Sequence, residues 1–378
     1  MNFKKRHLLG FLAMALAAAL LPSPAAAATT VTTVASGLDS PRGIAFYNGK
    51  LIVGEAGHGG PTCFPVPIAS GEACVGPTSQ ISWVNTTTGT HTPLVSGLYS
   101  ISLGEEGTLG VSGVSVNEGR ILAQIGGTPQ ENPPSLVLAQ QQAGRLISVH
   151  PNGTWSSFAE VGKTDFNYTL QFPEPPGPGT QEHDSNPYGV LATDDGAYVA
   201  DAGSNTLDRI GEDGQVKILI HDPFRFNFPY FPSDSVPTCV VRTDEGLFVG
   251  ELSGRVLNVH GSTFTVINNP LLTHITGCAT DGRNIYFVNM FGSGAPFTPP
   301  PASNFFIGNV VKYNAESGRA SVLVGGLQFP NMDVIGPDGN LYVTAGAICG
   351  TTPVAAPPCF GGTGRVIKVT LPQEENDD

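Results

Sequence analysis

Apolar and polar side chains alternate in short bursts along this chain, and each burst leads through a tight turn into a denser apolar run that ends on an acid, amide or hydroxyl side chain near a glycine. Six such phrases can be aligned: GIAFYNGKLIVGEAG from Gly43, GVSVNEGRILAQIGG from Gly113, GVLATDDGAYVADAG from Gly189, TCVVRTDEGLFVGELSG from Thr238, GCATDGRNIYFVNMFG from Gly277 and DVIGPDGNLYVTAG from Asp333. Alternation with a period of two, broken by Gly, Asn and Asp, predicts hairpins of short strands. Repetition of such units predicts an all-β, six-bladed β-propeller.

A second, weaker hairpin follows five of the phrases: SQISWVNTTTGTHTPLVSGL, GRLISVHPNGTWSSFAEVG, NTLDRIGEDGQVKILIH, GRVLNVHGSTFTVINNPL and GNVVKYNAESGRASVLVGGL. Four strands per blade follow. The last unit stops at GRVIKVTLP, a third strand with no partner after it, while TTVTTVASGL at 29–38 reads like SVLVGGL at 321–327. The N-terminal strand is therefore expected to complete the last blade and close the ring, which removes the open edges a linear stack would expose. The phrases start 70, 76, 49, 39 and 56 residues apart, against roughly 40–50 for a bare four-stranded blade. The excess lies in insertions: CFPVPIASGEAC, residues 128–142 and 165–186, FRFNFPYFPS, FGSGAPFTPPPASNFF and ICGTTPVAAPPCF. Those between the first and second hairpins of blades 1, 2, 5 and 6 are expected on one face. Their aromatic residues (Phe64, Phe291, Phe297, Phe305, Phe306, Phe360) could give that face an apolar ligand surface or pack on one another as a lid.

Composition adds a compartment. Lys4, Lys5 and Arg6 precede an apolar run from Leu8 to Leu21 and the small residues Ala25–Ala28, the layout of a secretory signal peptide. The run is shorter than the roughly 20 residues needed to span a bilayer, so no transmembrane anchor is expected after cleavage. We expect residues 1–28 to be this signal, 29–371 to be a single propeller domain and 372–378 to be an acidic flexible tail. Removing the signal leaves 15 basic against 31 acidic side chains, a balance of −16, which disfavours nucleic acid as a partner. The expected partner is an extracellular or periplasmic protein or a matrix component. All six cysteines lie beyond the signal, and an even count in an exported chain predicts disulfides. Cys63 and Cys74 flank one insertion and Cys349 and Cys359 another, so each pair is expected to staple its own loop. Cys239 and Cys278 occupy equivalent places in consecutive phrases, and a bond between neighbouring inner strands is expected there.

VASGLDSPRGIAF, VGEAG with its cysteine-bearing insertion, DSNPYGVLATDDGAYVADAGSNTLDRI, and FPSDSVPTCVV with VGEL together resemble the ScyD/ScyE family of secreted bacterial propellers. The resemblance runs over nearly the whole chain after the signal and implies fold and export; it implies no defined reaction. More distantly the phrases are similar to NHL-type repeats and to lactonase-like propellers. The latter hold a divalent ion in the central tunnel, using a Glu near the first inner strand and Asn or Asp before the Gly of later ones. Arg42, Ser112, Tyr188, Pro237, Thr276 and Met332 stand before the equivalent positions here, and none is a ligand of that pattern.

Two constellations could carry chemistry. Glu55, Asp201, Glu251 and Asn289 end the second strands of their phrases, with Gln124 and Thr344 nearby, and pseudo-symmetry could gather them into a polar ring able to bind a ligand or a Ca²⁺ ion. Alternatively each side chain caps its own turn. His183, Asp184 and Asn186 precede the third inner phrase and Asp234 and Ser235 the fourth, where turn formation accounts for them. Glu105, Glu106 and Glu131, beside the blade 2 insertions, read as solvated charges. The sequence thus supports an exported binding or assembly module, with a lactonase-like hydrolase or isomerase using a tunnel cation as the alternative.

Overall fold

A computed structural model describes residues 29–66, 71–104, 107–175, 180–223, 234–292, 307–353, 359 and 361–372. The expected signal segment, the acidic tail beyond Pro372, Glu105 and Glu106, Phe297, Phe305, Phe306 and Phe360 lie outside the described residues.

Thr29–Leu371 forms one compact unit, a six-bladed β-propeller. Blade 1 contains β2 (Pro41–Tyr47), β3 (Lys50–Glu55), β5 (Glu72–Val84) and β6 (His91–Ser102), with the short β4 (Thr62–Pro65) on β5 and β7 (Thr108–Leu109) on β6. Blade 2 contains β8 (Val111–Asn117), β9 (Arg120–Ile125), β10 (Arg145–Val149) and β11 (Trp155–Glu160). Blade 3 runs β12 (Pro187–Thr193), β13 (Gly196–Asp201), β14 (Thr206–Gly211) and β15 (Val216–His221), and blade 4 runs β16 (Pro237–Thr243), β17 (Gly246–Glu251), β18 (Arg255–His260) and β19 (Thr263–Asn268). Blade 5 comprises β20 (Ile275–Thr280), β21 (Asn284–Asn289), β22 (Ile307–Asn314) and β23 (Ala320–Gln328).

Blade 6 comprises β24 (Pro330–Ile335), β25 (Leu341–Ala345), β26 (Gly364–Val369) and, outermost, β1 (Val31–Leu38). β1 pairs antiparallel with β26 from Val31↔Val369 to Leu38↔Gly364, so the N-terminal strand closes the ring as the truncated last unit requires. The inner strands β2, β8, β12, β16, β20 and β24 pack in succession, and β24 returns to β2.

Each blade is covered on both faces by its neighbours, which is why the second strands read LIV, ILA, YVA, LFV, IYFV and LYV without polar alternation. Six apolar clusters result, one for each blade interface: Ile52, Leu98 and Ile121 between blades 1 and 2, for example, and Phe248, Phe287 and Val311 between blades 4 and 5. The glycines that open four of the six phrases let the inner strands meet. A Cβ on Gly189 would lie 2.4 Å from the Thr238 carbonyl oxygen, and one on Gly43 would lie 2.5 Å from the Val114 amide nitrogen.

Disulfides join Cys63–Cys74, Cys239–Cys278 and Cys349–Cys359. The first lies within the β4–β5 hairpin, where Cys63 and Cys74 are directly opposed. The second ties β16 to β20 across neighbouring blades. The strand phrases gave no sign of two short helices among the described residues, α1 (Val137–Gln142) between β9 and β10 and α2 (Val161–Thr169) after β11.

Candidate functional site

The start of each inner strand and the end of each second strand lie on one face of the ring, called here the upper face. Glu55, Asp201, Glu251 and Asn289 all sit there, fully buried. Each is committed within its own blade. Glu55 Oε2 accepts the Asp39 amide at 2.6 Å, and its Oε1 accepts Gln80 Nε2 at 2.8 Å and the Ser82 hydroxyl. Asp201 Oδ1 accepts the amides of Asn186, Gly203 and Ser204, and Oδ2 accepts the Ser185 hydroxyl at 2.6 Å. Asn289 accepts the Thr273 amide and donates to Leu271 O and Asn309 Oδ1.

Glu251 accepts Ser253 Oγ and pairs with Arg255, which also pairs with Asp222. Burial pushes Glu251 up to about 8 despite that guanidinium. Among the described residues no hydrogen bond joins any two of the four. The side chains tie the end of each second strand to the loop that starts its own inner strand or to the turn that follows.

The axis itself is filled. Tyr188 of blade 3 reaches the opposite blade, its hydroxyl donating to Asn331 Oδ1 at 2.9 Å and accepting from Asn331 Nδ2 at 2.7 Å. The Arg42 guanidinium lies 5.6 Å from the centre of the Tyr188 ring. Ser112 donates to Pro187 O and Thr276 to Asn331 O. A guanidinium, a phenol bonded across the ring and hydroxyls spent on carbonyls do not fit a divalent cation, which needs several free oxygen ligands.

An open pocket of about 500 Å³ lies instead on the upper side of blades 1 and 2, reaching the loop that starts blade 3. The stapled hairpin supplies Phe64, Val66 and Ala73; β6 and the turn after it supply Tyr99, Ile101 and Leu103; β7 supplies Leu109. Glu131 and Asn132, at the end of a 3₁₀ turn (Pro129–Glu131), and Asp184 and Asn186, before β12, complete the lining with Gly127 and Thr128. The second side is braced: Tyr99 Oη donates to Asn132 Oδ1 at 3.2 Å, Asn132 Nδ2 to Thr128 O, and the Gly127 amide to Asn186 Oδ1.

Glu131 and Asp184 hydrogen-bond to each other through their carboxyl groups. Glu131, beside the half-buried Asp184, is itself exposed where it lines the pocket. Desolvation, the Asp184 carboxyl and the nearby Asp201 and Glu182 all raise its pKa, and desolvation raises that of Asp184. Two carboxyls within hydrogen-bonding reach share a proton because both cannot ionise cheaply. Deeper in, burial and neighbouring acids hold Asp165 of α2 well above the usual carboxylate range, and burial pushes Asp208 up to about 8. Thr206 Oγ1 stands between them, 3.3 Å from Asp165 Oδ2 and 3.5 Å from Asp208 Oδ2.

Of the residues before inner strands, only Asp184 and Asn186 reach this pocket. His183 instead contacts Phe172 O and Glu174. Asp234 accepts Asn205 Nδ2, and Ser235 donates to Asn205 Oδ1 and Asp222 O. Glu131, expected as a solvated charge, is exposed, but nothing local in PQENPPSL reveals Asp184 as its neighbour. The double proline after Glu131, which restricts the backbone and keeps Asn132 extended, is the one local sign of a fixed conformation there.

No protein-family model matches this chain, and no curated protein matches it. Solved structures do. The chain is similar to a gluconolactonase from Xanthomonas campestris (10% identity, 91% of this chain and 90% of that one, TM-score 0.52). It is similar to a PQQ-bound aldose sugar dehydrogenase from Streptomyces coelicolor (14% identity, 92% and 99%, TM-score 0.51). A luciferin-regenerating enzyme matches with 11% identity over 91% and 95% of the two chains at a TM-score of 0.50. At these identities the likeness is one of fold: a β-propeller shared with proteins of differing chemistry.

Proposed function

We propose that the chain is an exported binding module of ScyD/ScyE type that seats a small matrix or periplasmic component in the pocket between the Cys63–Cys74 hairpin and the loop before β12. The observation that carries this reading is the pocket's make-up. One wall is apolar, the other is polar and braced by hydrogen bonds, and the volume is that of a small-molecule site. A protein partner would ordinarily bury a broader, flatter area. Export is supported by the basic and apolar segment at 1–28 and by three disulfides, which persist in oxidising compartments. Among the described residues no helix is long and apolar enough to cross a membrane. Fluorescence of the neutral dye Nile red tests the pocket: we expect a blue-shifted, saturable signal that Phe64→Ser with Leu109→Ser removes at unchanged melting temperature. A signal indifferent to both substitutions would place binding elsewhere.

The Glu131–Asp184 pair favours a second reading, a lactonase-like hydrolase working without a tunnel metal. One carboxylate would draw a proton from water as it attacks the lactone carbonyl, and the partner acid would protonate the departing ring oxygen. Titration of acid released from δ-gluconolactone checks this. Rates equal to the buffer's would dismiss it, and a rate lost in Glu131→Gln would establish it.

A further inference from the structure

The pocket's polarity is one-sided in charge as well as in hydropathy. Among the described residues its lining carries two carboxyl groups, Glu131 and Asp184, and no Lys, Arg or His. Asp201 and Glu182 add negative charge around Glu131. Behind Asp201, Asp165 and Asp208 are buried with their carboxyl groups within hydrogen-bonding reach of each other. The contrast with the neighbouring blade is direct, since Glu251 and Asp222 share the Arg255 guanidinium. Buried acids such as Asp165 and Asp208, with no cation beside them among the described residues, are costly unless protons or nearby positive charge neutralise them, and the half-buried Asp184 and exposed Glu131 extend that negative field to the pocket. Opposite the acids, Phe64, Val66, Ile101, Leu103 and Leu109 offer an apolar surface with nothing to satisfy a second polar group.

From this arrangement we infer that the ligand seated in the pocket is an amphipathic amine, its ammonium group between Glu131 and Asp184 and its apolar body against the stapled hairpin and Leu109. The inference rests on the binding reading above. The ammonium supplies three donors to the carboxylate oxygens. Its positive charge also offsets the desolvation and the neighbouring negative charge that raise both acids, so a proton leaves the pair for solvent as the amine binds.

Isothermal titration at pH 7 with 4-phenylbutylamine, 4-phenylbutan-1-ol and 4-phenylbutyrate separates the possibilities. We expect the amine to bind at least tenfold more tightly than the alcohol, and the carboxylate to bind most weakly. The heat of amine binding should depend on the ionisation enthalpy of the buffer, reporting the released proton. Glu131→Gln and Asp184→Asn should each reduce the preference for amine over alcohol to within about threefold while the alcohol still binds. Alcohol binding equal to amine binding, or a preference that survives both substitutions, would overturn the amine inference and leave the pocket reading intact. Failure of all three probes, together with loss of the Nile red signal, would overturn both.

Discussion

Replacing Tyr188 by Phe removes one oxygen from the centre of the ring and nothing else. The ring stays to fill the axis and to face Arg42, so packing and the cation–π contact are retained. What is lost is the pair of bonds to Asn331, leaving Oδ1 and Nδ2 of a side chain that is 1% exposed without their partner. A buried polar group stripped of its partner costs about 1–3 kcal/mol, so two such groups on one amide should cost about 3 kcal/mol. A unit of roughly 340 residues has an unfolding entropy of about 0.7 kcal/mol/K, which converts that loss to a fall of about 4 °C in melting temperature. Calorimetry of Tyr188→Phe, Asn331→Ala and the double variant gives the cycle. The double variant should be more stable than the sum of the single losses predicts, by about 2 kcal/mol. A Tyr188→Phe protein within about 0.5 kcal/mol of the parent, with zero coupling in the cycle, would refute a bridge across the axis.

Alanine at Gly189 would drive its methyl group into the Thr238 carbonyl, and about 3 kcal/mol of overpacking should appear in a urea titration. Because loop entropy grows with the residues enclosed, removing Cys239–Cys278 (separation 39) should cost about 4 kcal/mol and removing Cys63–Cys74 (separation 11) about 3, read from paired Cys→Ala variants. Asp208 and Glu251 have folded-state pKa values raised to about 8, so in the fold they hold protons that the unfolded chain releases near pH 4–5. Their contribution to stability is full below that range and is lost as the pH rises toward 8; Asp208→Asn with Glu251→Gln should flatten that slope in denaturant midpoints measured across it. Since Glu55, Asp201 and Asn289 already spend their oxygens on internal donors, millimolar Ca²⁺ should leave the melting temperature unchanged; a rise abolished by Glu55→Gln would reopen the ring as a cation site.

Much of the architecture was legible because a propeller writes itself locally. Each hairpin carries its own turn residues, and the missing fourth strand of blade 6 announced its replacement at residues 29–38. The disulfide pairs were readable from position alone, two flanking insertions and one recurring in equivalent phrases. The site was harder to see. Glu131 meets Asp184 because an insertion of blade 2 lies beside the loop that starts blade 3, and Tyr188 meets Asn331 because the ring brings opposite blades together at its axis. Neither pair leaves a periodic trace, and the latter partners are 143 residues apart. The α1 and α2 helices were hidden for a related reason: they are short pieces in insertions, outside the repeat that carried the reading.

The pairing of β1 with β26 also sets an order of events. The first strand of the propeller has no partner until almost the whole chain has been made, because Val31 must wait for Val369. Until then blade 6 presents a bare strand edge and β1 is a loose sticky end, matched in register to that edge on every copy. Folding is therefore gated by a contact of very long sequence separation, which slows the final step. At high concentration during refolding, the first strand of one molecule can close the ring of another, and the product would be a strand-swapped dimer with all its blades intact. A bulky fusion placed directly before Val31 would penalise closure while leaving the other five blades free to form.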